Sequence, residues 1–168
     1  MDKYNQLLDK AFENGIKIKD KRCFDSDAKA LIINNLIGLS ETLETTAEKK
    51  CVLSEELAHY ELGGGCILDI ENDINASRSE YRAMKQAVFD IIKPYDFIEA
   101  YKNGVKDQFE LADFLNVPLD FLEEAIKIYR QTHGNFLKVG DYLICFDPLG
   151  IYDSTFGKNE YLNSLTFP

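Results

Sequence analysis

The chain of 168 residues carries a formal net charge of -10, and 45% of its residues are hydrophobic. This apolar content is enough for one compact domain, or for a small domain with a helical appendage. The excess of carboxylates repels nucleic acid and anionic membranes, so we expect a protein or peptide partner. No apolar run approaches the length of a membrane span.

The amino terminus and the cysteines together indicate a reducing cytoplasm. Residues 1–15 are polar and periodic instead of a basic stretch followed by an apolar one, so we expect no signal peptide. The four cysteines are scattered along the chain without a C-x-x-C pair: Cys23, Cys51, Cys66 and Cys145. This spacing argues against a zinc ribbon and against a disulfide framework.

The first forty residues predict one helix followed by a small sheet. Apolar residues recur at helical spacing over residues 2–13, and Gly15 is a suitable stop. Three short segments then predict strands, at residues 16–19, 29–34 and 36–39. Asn34 and Asn35 predict a hairpin turn between the last two, because asparagine tolerates positive φ. We therefore expect a small, mostly antiparallel sheet.

Two longer helices are predicted next. Thr45 and Glu48 match the capping-box pattern, which predicts a helix start, and three consecutive glycines from Gly63 predict its end. A second helix is expected to begin near residues 75–79 and to stop before Pro94, which cannot continue it without strain.

The remaining residues predict shorter elements. Helices are expected at residues 96–104, 108–116 and 119–134, with a break at Val117 and Pro118. Residues 135–150 predict one or two short strands, and the final dozen residues predict an irregular tail.

The first of the two longer helices carries an unusual group of side chains. Glu55 and His59 are four residues apart, so they project from one face of a helix, and Glu56 lies beside that face. This spacing is that of the zinc-protease pattern His-Glu-x-x-His, with a glutamate at the first histidine position. In that pattern the outer pair holds the metal and the inner glutamate acts as general base. Zinc also accepts carboxylate oxygen, at about 2.0–2.2 Å.

A third protein ligand would have to come from another element. Glu80 lies twenty-one residues after His59, near the start of the next predicted helix. If the two helices pack antiparallel, Glu80 reaches the same face as Glu55, and the fourth metal position is left to water. The alternative is that the adjacent glutamates form a solvated helix face and that the histidine is structural.

Four segments, taken in order, resemble the ImmA/IrrE family of metallo-endopeptidases, particularly its phage and mobile-element members. They are KKCVLSEELAHYEL, SEYRAMKQAVFDIIKP, FELADFLNVPLDFLEEAIKIY and ICFDPLG. The likeness covers about residues 28–150. It implies that Glu55, His59 and Glu80 hold Zn²⁺ or another divalent metal, and that Glu56 is the general base.

The resemblance also implies a biological role. Proteins of this type cleave or inactivate a phage or mobile-element repressor that carries a DNA-binding domain, and such a repressor is the partner we expect. Glu55 departs from the usual histidine, which should weaken zinc binding and make a bound water less acidic. The alternative is therefore a catalytically weak or inactive protein that acts as an antirepressor by binding alone.

The segment from Glu110 to about residue 134 is similar to a helix-turn-helix. Its second helix begins with Leu119 and Asp120 and soon reaches two further glutamates, whereas a DNA-reading helix offers basic or amide side chains there. We therefore expect no direct DNA binding, and instead a role in docking the repressor or completing the substrate cleft.

These observations predict an α+β protein. A metallopeptidase-like domain is expected at residues 1–94, with a small, mostly antiparallel sheet and a zincin-like pair of helices that carries the metal site. A helical, helix-turn-helix-like region with short terminal strands is expected at residues 95–150, and a tail at residues 151–168.

Overall fold

The computed structural model describes residues 2–23, 28–63 and 73–154. Within these ranges the chain has mixed α and β structure, which confirms the predicted α+β class. It divides between Ile91 and Ile92 into two compact units. Across the described residues, no helix combines the length and the apolar character needed to cross a bilayer.

The first unit combines three helices with a three-stranded sheet. Its elements are α1 (Lys3–Glu13), β1 (Lys17–Arg22), β2 (Ala30–Ile33), β3 (Leu36–Ser40), α2 (Thr46–Glu61) and α3 (Asp73–Ile91). The strand order is β1-β3-β2, and Ile37 and Leu39 of the central strand are fully buried. The central strand therefore supplies part of the core of this unit.

The predicted hairpin joins β2 and β3, which pair antiparallel, and Asn34 adopts the expected left-handed conformation with a φ of +53°. The other pairing, between β1 and β3, is parallel. Strand signals in a sequence do not specify the direction of a pairing between strands that are not consecutive, so this part of the sheet was not anticipated.

The helix α2 begins and ends as its sequence predicts. The hydroxyl of Thr45 accepts the N–H of Glu48 at 3.1 Å, and the Glu48 carboxylate accepts the N–H of Thr45 at 2.8 Å. The helix ends at Glu61, and Gly63 has a φ of +81°, which glycine adopts without strain. One side of α2 is buried in the core of the unit through Leu53 and Leu57. The two glycines that follow Gly63 lie outside the described residues.

The second unit contains three helices and a second sheet. Its elements are α4 (Pro94–Lys102), α5 (Gln108–Leu115), α6 (Leu119–His133), β4 (Phe136–Val139), β5 (Tyr142–Phe146) and β6 (Leu149–Asp153). The sheet is an antiparallel meander in the order β4-β5-β6. Its core includes Tyr129, whose hydroxyl donates to the carbonyl of Ile92 at 2.7 Å and whose ring stacks on Phe146.

The carboxy-terminal strands correct two of our expectations. The segment predicted to form one or two strands forms β4 and β5, and the chain then turns into a third strand, β6. Because β6 continues to Asp153, the first three residues of the predicted tail belong to the sheet. The rest of that predicted tail, from residue 155, lies outside the described residues.

Replacing Thr45 with alanine removes the side-chain cap of α2, and we expect the free energy of unfolding to fall by about 1 kcal/mol. Chemical denaturation measures this change. Thr46→Ala is the matched control, because Thr46 is also exposed but lies one position inside the helix. Equal stability of the Thr45→Ala and Thr46→Ala variants would contradict the role of the cap.

Candidate metal centre

The helices α2 and α3 bring three predicted ligands together. One donor atom from each of Glu55, His59 and Glu80 can be chosen so that all three lie within 4.8 Å of one another. The Nε2 atom of His59 and an Oε2 atom of Glu80 are 3.2 Å apart. Side chains from the end of α2 and from the first half of α3 therefore lie close together.

The spacing and chemistry of these donors fit a divalent cation. Two atoms bound to tetrahedral zinc at about 2.0–2.2 Å are about 3.3–3.6 Å apart, close to the distance between His59 and Glu80. Glu55 offers an oxygen within 4.8 Å of a donor atom of each of these two residues. One imidazole nitrogen and two carboxylate oxygens suit zinc and related first-row cations.

The group is open on one side. The side chain of His59 is only 16% exposed, whereas that of Glu80 is 67% exposed. A cation held here would be shielded on the side of α2 and accessible beside Glu80. This asymmetry leaves room for a water molecule or a substrate oxygen at a further coordination position.

Burial and charge perturb the carboxylates of α2. Loss of hydration raises the pKa of Glu55, the nearby His59 lowers it, and the carboxylate of Glu80 raises it. Burial likewise raises the pKa of Glu56, against the effect of His59, and the two other carboxylates of the group raise it further. The acidic side chains therefore repel one another, and a cation between them would relieve that repulsion.

Glu56 stands beside the converging donors without being one of them. It is half-buried on α2, and its pKa responds to Glu55, His59 and Glu80. The structure therefore places all four predicted residues in one neighbourhood. The role of Glu56 as the general base stays a prediction.

Two lysines near the site were not identified from the sequence. Lys10 of α1 forms ion pairs with Glu61 at 2.9 Å and with Asp90 at 3.4 Å, so it connects the end of α2 to the end of α3. Lys29 lies just before β2 and lowers the pKa of Glu55. Neither belongs to a short motif, and only the fold brings them near these carboxylates.

Two side-chain contacts join the last turn of α2 to α3. His59 contacts Glu80, and Glu61 accepts a hydrogen bond from Gln86. Glu80 therefore reaches the face that carries His59, as expected, and the antiparallel packing of the two helices stays a prediction.

A glutamate and a histidine four residues apart on one helix, together with a carboxylate from the next helix, form a group that could hold a metal ion, as a metallopeptidase requires. Comparison with protein families agrees, since residues 12–127 match the IrrE N-terminal-like domain. This match covers more than half of the chain, which therefore belongs to the ImmA/IrrE family of metallopeptidases. No curated protein is significantly similar to the chain.

Replacing Glu80 with glutamine should weaken zinc binding by at least about tenfold, because the amide lacks the charge that attracts the cation. Titration of the purified protein with zinc, followed by calorimetry, measures the affinity. Glu44→Gln is the matched control, since Glu44 is an exposed glutamate that precedes α2. If Glu80→Gln and Glu44→Gln both bind zinc like the unaltered protein, Glu80 is not a ligand.

Proposed function

We propose that this protein is a zinc-dependent endopeptidase of the cytoplasm that cleaves a repressor of the phage or mobile-element type. The observation that carries the proposal is the convergence of Glu55, His59 and Glu80 beside Glu56. Membership of a metallopeptidase family supports the same reaction class.

The side chains of the site suit hydrolysis of a peptide bond. A divalent cation held by Glu55, His59 and Glu80 would polarise the peptide carbonyl and lower the pKa of a water molecule. The carboxylate of Glu56 accepts a proton from the attacking water and then delivers it to the nitrogen of the leaving amine. The exposed side of the site, at Glu80, gives a peptide access to these groups.

Glu55 favours a second candidate function. A carboxylate at this position adds negative charge to the centre, so a water there is less strongly acidified than with two histidines. A protein with this ligand set could still bind its repressor tightly while hydrolysing it slowly or not at all. In that case it would act as an antirepressor through binding alone.

Replacing Glu56 with glutamine separates the two functions, because it removes the proton acceptor and preserves the shape of the side chain. We expect cleavage of the repressor encoded beside the gene to slow by about 10²-fold or more. Mass spectrometry of the repressor, incubated with zinc or with a chelator, measures cleavage. The Glu44→Gln variant should cleave at the normal rate.

Release of the repressor from operator DNA is measured in the same samples. If the Glu56→Gln variant and the unaltered protein release the repressor equally, and the repressor stays intact in both samples, the endopeptidase proposal is contradicted. That result would favour the antirepressor.

A further inference from the structure

The helix α5 presents an exposed face on which two carboxylates lie between two phenylalanines. With 100° of rotation per residue, Phe109, Asp113, Glu110 and Phe114 follow one another within about 140° of arc. All four are exposed, Phe109 by 61% and Phe114 by 40%. We call these four residues the α5 face.

Folding of the second unit leaves much of the Phe109 ring, and part of the Phe114 ring, in water. The opposite side of α5 is anchored in the core through Leu111 and Ala112, which are buried. The helix start is satisfied by Asp107, whose carboxylate accepts the N–H groups of Phe109 and Glu110 at 2.9 Å each. Apolar area that stays in water contributes nothing to the fold, so clustered exposed rings indicate an interaction site.

The charge around the α5 face is mainly negative, although Lys106 precedes the helix and Lys127 of α6 pairs with Glu124 at 3.1 Å. Residues 107–126 contain six carboxylates and neither lysine nor arginine. Such a surface repels nucleic acid and anionic membranes and attracts a cationic protein surface. Carboxylates bind guanidinium groups through paired hydrogen bonds, and neighbouring rings stack on the same groups, so the two carboxylates beside the rings of the α5 face suit arginine in particular.

We infer that the α5 face docks the basic, DNA-contacting surface of the repressor's DNA-binding domain. This inference rests on the proposed function, because it concerns recognition of the same partner. The helices α5 and α6 have the form of a helix-turn-helix but carry the charge sign of DNA phosphates. Docking therefore competes directly with operator DNA for the basic surface of the repressor.

Binding to the purified DNA-binding domain of the repressor encoded beside the gene tests the inference. The experiment uses the full chain with Glu56→Gln, so that cleavage does not remove the complex, and fluorescence anisotropy gives Kd. Combining Phe109→Ala with Asp113→Lys should raise Kd at least tenfold. The affinity of the protein without these two changes should fall steeply between about 50 and 200 mM salt, and operator duplex should compete.

A matched control is available on α1. Asp9→Lys with Phe12→Ala makes the same change in charge and apolar area on another exposed helix face, since Phe12 is 84% exposed and Asp9 is exposed. This control should leave Kd unchanged. Thermal unfolding of both double variants checks that each is folded, and Asp113→Asn, which keeps the side-chain shape, should give a smaller loss of affinity than the double variant.

Each outcome separates docking from hydrolysis. The inference is overturned if the α5 double variant binds the domain with the same Kd as the α1 control and operator duplex displaces both equally. It is also overturned if the protein without these changes does not bind the domain. A loss of self-association without a change in Kd would assign the α5 face to contacts between copies of this chain and would also overturn it. If the chain with an intact Glu56 binds the repressor through this face without cutting it, docking stands and the endopeptidase fails. Equal cleavage rates with and without the double substitution support hydrolysis and overturn docking.

Discussion

The contact between His59 and Glu80 is the interaction on which the site depends, because it joins the two helices that carry the donors. Two further sets of interactions support the geometry of this contact. The capping box of Thr45 and Glu48 fixes where α2 begins. The ion pairs of Lys10 connect the carboxy-terminal ends of α2 and α3. The cap of α2 and the ion pairs of Lys10 thus help to place His59 and Glu80 close enough to coordinate one metal ion.

The charges of this group favour the binding of a cation. Three carboxylates in a small, partly buried space repel one another unless a cation or protons neutralise them. Burial is the main cause of the raised pKa values of Glu55 and Glu56, and the neighbouring carboxylates raise them further. A divalent cation would remove the repulsion while using the same atoms as ligands. Glu55 in place of a histidine adds negative charge to the group, which lowers the acidity of a water at the centre.

The sequence predicted what is encoded locally and missed what depends on the fold. The limits of α2, the Asn34 turn and the spacing of Glu55 and His59 follow from neighbouring residues. The parallel pairing of β1 with β3, the strand β6 and the ion pairs of Lys10 join distant residues, so no short pattern announces them. Phe12 shows the same limit: it has helical spacing with apolar neighbours, but Leu7 and Ala11 define the buried side of α1.

X-ray absorption spectroscopy of the zinc-loaded protein tests the central claim, that Glu55, His59 and Glu80 form one metal centre. The account predicts one zinc per chain with a first shell of nitrogen and oxygen at about 2.0–2.2 Å and the signature of a single imidazole. A sulfur ligand at about 2.3 Å, or two imidazoles, would place the metal elsewhere and contradict the account.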